Sequence, residues 1–137
     1  YPGLGVGLRN RLDVLQRKMG RFTNKWNPRE HVGNAEIVGI GWLPLPRRAL
    51  TLQLGHLFKV KIGQAPSYLT GCFNHISEVH GYNTRGSDLN YSANHVSFPP
   101  GTFHHSTVRE WNRLPNDLKS CRTLPVFKQK LRQYMLS

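Results

Sequence analysis

Apolar residues recur at helical spacing along much of this chain, and that periodicity restricts its fold more than any other feature. Leu8, Leu12, Leu15, Met19 and Phe22 step by four, three, four and three. This spacing predicts a helix over residues 8–22 with one apolar stripe, expected to anchor in a core. Arg9, Arg11, Arg17, Lys18 and Arg21 fall off that stripe, and Asn27-Pro28 ends the segment. Gly20 weakens the last turn by ~1 kcal/mol relative to Ala. The same logic predicts a helix over residues 47–62, with Leu50, Leu54, Leu57, Phe58 and Ile62 inward and Gly63 as its stop. Val108, Trp111 and Leu114 mark a helix over residues 106–114, capped by Ser106 and broken by Pro115. Thr123 caps a last helix with Pro125 in its first turn, and Leu124, Phe127, Leu131 and Tyr134 or Met135 form its stripe. Shorter helices are expected over residues 35–42, capped by Asn34, and over 65–73, opened by Pro66. Residues 74–104 read as a long irregular loop, because Gly81, Asn83, Gly86 and Pro99-Pro100-Gly101 are turn formers. Residues 93–98 are the one strand-like piece, which leaves room for one short strand pair. The expected fold class is therefore mainly α: a small helical domain over residues 1–137, with five to six helices and one long irregular loop.

Charge narrows the partners. Lys and Arg total 19 against 7 Asp and Glu, a net charge of +12 in 137 residues. Seven basic groups fall within residues 1–29 and seven within 106–137, whereas residues 65–105 hold only Arg85. Helices with an apolar stripe and a basic back suit a phosphate-binding surface, so a polyanion is the expected partner. Such contacts would be sequence-independent. Trp26, Tyr68 and Tyr91 are candidates to stack on bases; Trp111, flanked by helical apolar residues, reads first as core.

Several chemistries lack a local signature. No GxxxxGK[ST] or GxGxxG stretch occurs. The seven carboxylates are all at least six residues apart, so no local two-metal site is visible. Cys72 and Cys121 have no CxxC partner. His75, His80, His95, His104 and His105 read as solvated loop histidines rather than metal ligands. Asn90-Tyr91-Ser92 fits the glycosylation pattern, read here as chance. The longest apolar-leaning stretch, residues 37–46, is about half of a membrane span. The first residues do not read as a signal peptide. The chain starts without Met, so a fragment or processed product is expected. No catalytic residue, metal, cofactor, small-molecule substrate or membrane contact is expected.

Ordered motifs carry a resemblance. Leu12-Asp13-Val14-Leu15-Gln16-Arg17-Lys18 followed by Arg21 resembles the "LQ-x-K-x-x-R" helix after the polymerase core of LINE-type, jockey-like non-LTR retrotransposon reverse transcriptases. Gly41-Trp42-Leu43-Pro44-Leu45, Arg47-Arg48, Leu57-Phe58-Lys59 and Ala65-Pro66-Ser67-Tyr68-Leu69 are similar to the block that follows in that family. Thr84-Arg85 matches its interrupting "TR". Trp111-Asn112-Arg113-Leu114-Pro115, Leu118, then Phe127-Lys128 and Leu131 match its "WN-x-LP-x-x-L…FK-x-x-L". The matches keep their order over residues 12–134. Gly20 departs from the pattern, standing where a larger residue would help, as in a decayed copy.

The resemblance implies a thumb-adjacent C-terminal segment of an RNA-directed DNA polymerase. The family's Tyr-x-Asp-Asp turn is absent, so the chain alone is expected neither to polymerise nor to cut. It would grip template RNA or an RNA–DNA duplex, or pack against the missing polymerase core, within an intracellular, nuclear or cytoplasmic, ribonucleoprotein. Candidate phosphate contacts are Arg17, Lys18, Arg21, Arg47, Arg48, Lys59 and Arg85. Trp42, Leu57, Phe58, Trp111, Leu114, Leu118, Phe127 and Leu131 are the expected core. Competing readings are a structural docking module, an inert genomic relic, and a basic ribonucleoprotein component.

Overall fold

The computed structural model describes residues 3–79, 89–92 and 101–137, and it is mainly helical. Eight helices run through the described residues: α1 (Val6–Asn24), α2 (Asn34–Gly39), α3 (Leu45–Lys61), α4 (Ser67–Thr70), α5 (Ile76–Val79), α6 (Phe103–Asn112), α7 (Asn116–Lys119) and α8 (Leu124–Leu136). The expected count was lower because α5 and α7 are single turns. The expected helix over residues 65–73 contracts to α4.

The body is built on α3, which packs along α8 and α6. Pro46 sits in the first turn of α3, where a missing N–H costs nothing, and Gly63 follows its end at φ 73°. The rings of Phe58 from α3 and Phe127 from α8 stack, centroids 4.2 Å apart. Trp111 from α6 lies against both rings. Leu54, Leu57, Val108, Leu114, Leu118, Leu131 and Met135 enclose this aromatic centre. Burying each such side chain contributes roughly 1.5–3 kcal/mol. Pro115 ends α6 and opens α7, which brings Leu118 back under the same core.

Residues 89–92 form a strap across the body. The Trp111 indole N–H donates to the Leu89 carbonyl at 2.9 Å. The Asn112 side chain accepts from the Tyr91 N–H at 3.0 Å and donates to the Tyr91 carbonyl at 2.8 Å. Asn112 therefore pairs with the strap as a neighbouring strand would. On its other side the strap meets residues 74–76, where the Ile76 N–H donates to Asn90 and the Ser92 N–H to Asn74. His75 and Tyr91 make an isolated antiparallel bridge. No strand forms among the described residues; the strand-like piece at 93–98 lies outside them.

Two expected starts move. α2 begins after Gly33 rather than Asn34, because the Glu36 carboxylate accepts the Gly33 N–H at 2.8 Å. The backbone N–H groups of Glu36 and Gly33 hold that carboxyl below its usual range. α6 begins at Phe103, after Thr102, so Ser106 is interior to it rather than its cap. The segment 74–104 is more regular than expected, since it holds α5, the strap and the first residues of α6.

The largest correction concerns α1. Its apolar stripe does not enter the core. Leu8 is 52%, Leu15 54%, Met19 61% and Phe22 89% exposed. The one buried residue of α1 is Gly20. A Cβ there would sit 3.1 Å from Ile37 Cδ1 and 3.7 Å from the Trp26 ring. Gly20 thus stands where α1 meets Ile37 of α2, and a larger residue there would require the Ile37 side chain to shift by a few tenths of an ångström. Gln16 fastens the helix to the body, donating to the Leu43 carbonyl at 2.8 Å and accepting the Leu45 N–H at 3.0 Å.

Candidate nucleic-acid interface

The seven candidate phosphate ligands do not form one cluster. Arg17, Lys18 and Arg21 lie on α1; Arg47, Arg48 and Lys59 lie on α3; Arg85 is outside the described residues. Two of them are engaged by the fold. The Arg21 guanidinium donates to the Glu30 carbonyl through Nη2 at 2.8 Å and Nε at 3.2 Å. Arg47 donates to the Met135 carbonyl near the end of α8. Each bond satisfies a carbonyl that its own segment leaves open.

Arg48 and Lys59 instead meet two cations that the candidate set omitted. α3 and α8 leave between them a groove of about 400 Å³ lined by Arg48, Lys59, Lys128 and Arg132, with Leu43, Leu52 and His56 on its walls. Among the described residues no carboxylate lines it. Arg132 is steadied by one bond from Nη2 to the Gly41 carbonyl at 2.8 Å, made possible by the φ of 79° at Gly41. Gly55 lies beneath. It is buried in mid-helix, yet a Cβ there would meet nothing within 4 Å. Ala would be worth ~1 kcal/mol more in a helix; glycine keeps the groove floor open instead.

The omission has a physical source. Lys128 and Arg132 are one helical turn apart on α8 and face α3, but nothing in the periodicity of α8 says which of its polar edges borders a neighbour. Helical spacing alone brings Arg48, Thr51 and Leu52 to one edge of α3, and that much was available from the sequence.

Of the aromatic candidates Trp111 lies in the core as read, whereas Tyr91 is buried rather than a base platform, and His75 and His104 pack on rings rather than standing as solvated loop residues. Tyr91 and Trp111 are buried, and neither can receive a base. Tyr68 is exposed, and Trp26 packs on Gly20. His75 stacks on Tyr91 at 4.3 Å, and His104 lies 5.3 Å from the Phe73 ring. Burial, then His56, lowers the pKa of His104. His80 and His95 lie outside the described residues. Among the described residues no three His, Cys, Asp or Glu side chains converge to hold a metal, and no helix is long and apolar enough to cross a membrane.

Carboxylates support the fold. Glu110 pairs with Arg109 at 3.3 Å and Arg113 at 3.1 Å, Asp117 joins α7 to Lys130 of α8 at 2.9 Å, and Glu78 accepts the His75 N–H at 3.1 Å. One lysine also belongs to the interior. Lys119 is 2% exposed, and its ammonium donates to Asn90 Oδ1 at 2.8 Å and to the Asn112 carbonyl at 2.9 Å. Burial lowers its pKa. Lys61 donates to the Lys119 carbonyl and rests its ammonium 5.9 Å from the Phe58 ring centroid.

The expected core residues divide. Leu57, Phe58, Trp111, Leu114, Leu118, Phe127 and Leu131 lie in the buried cluster. Trp42 does not; it is half-exposed and borders a groove along α1, because the unburied α1 leaves it uncovered.

No family model, curated protein or solved structure matches the chain.

Proposed function

We propose that this chain binds the sugar-phosphate backbone of RNA or an RNA–DNA duplex, with the α3–α8 groove as the contact. The observation that carries the reading is the convergence of Arg48, Lys59, Lys128 and Arg132 on one groove that no carboxylate of the described residues lines. Four like charges drawn together repel one another, and an anionic strand relieves that repulsion while releasing its counterions. Guanidinium groups are suited to phosphate oxygens, and a backbone contact needs no base to be read. The α1 cations are a secondary contact.

The ordered motif resemblance supports a narrower form of the reading: a non-catalytic, post-polymerase segment of a LINE-type reverse transcriptase. In that form the Trp-Asn-x-Leu-Pro motif is architectural. Trp111 and Asn112 pin the strap while Leu114 and Leu118 fill the core, leaving the charged edges of α3 and α8 to meet the strand.

Binding of a labelled heteropolymer RNA, followed by fluorescence anisotropy across a range of salt, tests the proposal. The native chain is expected to show a steep log–log salt dependence. Replacing Arg48, Lys59, Lys128 and Arg132 with Gln together should flatten that slope by up to about 3 for a single strand. Replacing Arg17, Lys18 and Arg21 should flatten it less. An unchanged slope in a folded quadruple variant overturns the assignment of the groove.

A further inference from the structure

The exposed stripe of α1 is a separate surface whose geometry specifies a partner. Leu8, Leu12, Leu15, Met19 and Phe22 occupy alternating a and d positions of consecutive heptads, with Leu8, Leu15 and Phe22 at d. In that register the g edge reads Arg11, Lys18 and, at the C-cap, Lys25, all three exposed. The e edge reads Arg9, Gln16 and Thr23, and Gln16 is the residue that fastens α1 to the body. The stripe therefore has a cationic row on one side. On the other a wall formed by Trp42, Leu43 and Leu45 bounds a groove of about 730 Å³. Arg48 and Arg132 also line that groove.

We infer that α1 docks an amphipathic helix of a partner protein whose flanks are acidic. The apolar seam has the spacing that a helical partner's knobs require, and the groove beside Trp42 gives those knobs a concave seat. The charge on the rim decides the sign. A second copy of this chain fits badly: in parallel pairing Arg11 and Lys18 would face Gln16 and Thr23, and in antiparallel pairing g would face g, cation against cation. Acidic residues at the partner's e and g positions would meet Arg11, Lys18 and Lys25. Three such pairs at about 0.5 kcal/mol each amount to about tenfold in affinity. A flat lipid surface would leave the wall formed by Trp42, Leu43 and Leu45 without a cover. The inference does not rest on the RNA reading, since the seam itself is apolar and offers nothing to a phosphate, although the two surfaces share Arg48 and Arg132.

The test uses synthetic helical peptides of three to four heptads with Leu at a and d, carrying Glu at e and g in one version and Lys in another. Calorimetric titration of the full chain is expected to show the Glu peptide binding at least about tenfold tighter than the Lys peptide. The double variant Leu15→Ser/Met19→Ser, on a face that makes no core contact and with no change of charge, should abolish binding while leaving the far-UV circular dichroism and RNA affinity unchanged. The triple variant Arg11→Glu/Lys18→Glu/Lys25→Glu should reverse the preference toward the Lys peptide. Equal binding of both peptides, binding of neither, dimerisation of the chain alone in sedimentation, or tighter association with phosphatidylserine vesicles than with the Glu peptide each overturns the inference.

Discussion

Trp111 joins two parts of the molecule through one side chain. Its ring is wholly buried against the stacked Phe58 and Phe127, and its N–H holds the strap at Leu89. Truncation removes the packing and leaves a buried carbonyl without its donor, so Trp111→Ala should cost about 3–5 kcal/mol in urea unfolding. Tyr91, on the strap, makes the pH dependence legible. Burial first, and Glu78 second, push its phenol up to about 12 from an ordinary 10. The folded chain thus holds that proton more tightly than the unfolded one. The contribution of the neutral phenol is whole below about pH 10 and is lost between about 10 and 12. Unfolding midpoints measured on either side of that window should fall for the native chain and fall less for Tyr91→Phe. Lys119 runs the other way: its pKa is lowered by burial, so its share of stability rises as pH climbs toward the ordinary lysine value.

Among the elements, α1 and α3 each depend on a glycine in mid-helix, for opposite reasons. At Gly20 the space is closed. Gly20→Leu should push α1 from Ile37 and lower stability by about 1–3 kcal/mol, read as a lowered thermal midpoint. At Gly55 the space is open, and the groove is what fills it. Neither role could be read from the chain, where both glycines register only as weak helix formers. The helical spacings of α3 and α8 were legible because their apolar residues do meet a core, and the rings at 58, 111 and 127 follow from that. The stripe of α1 obeys the same spacing and meets solvent. Periodicity reports which residues share a face; it does not report whether this chain or another supplies the cover. Helix starts shifted at Gly33 and Thr102 because the carboxylate of Glu36, three residues on, or an added turn replaced the side chain expected to cap. The strap was invisible, since its order comes from Asn112, more than twenty residues away.

For the whole molecule, the attachment of α1 is local: the Gln16 clamp, the Gly20 approach and the Arg21 bonds to Glu30. The body around α3, α6 and α8 is held by interlocked rings. Amides of α1 should therefore exchange with deuterium faster than those of α3 and α8 under native conditions, and an acidic helical peptide should slow them. Uniform protection across α1 and α3 would contradict this division. The charged groove and the apolar seam meet at Arg48 and Arg132, which border both. A strand and a docked helix would share those two side chains, so occupancy of one surface is felt at the other.

Lys119 imposes a distinction within the cationic residues. Around the groove, exchanging lysine for arginine keeps the sign and leaves a side chain that still meets a phosphate. At position 119 the ammonium occupies a space with two oxygen acceptors, Asn90 Oδ1 and the Asn112 carbonyl. A planar guanidinium brings five N–H groups to those acceptors and would strand several of them away from water. There a charge-preserving exchange would unseat the strap, and the residue's identity, not its charge, is what the fold requires.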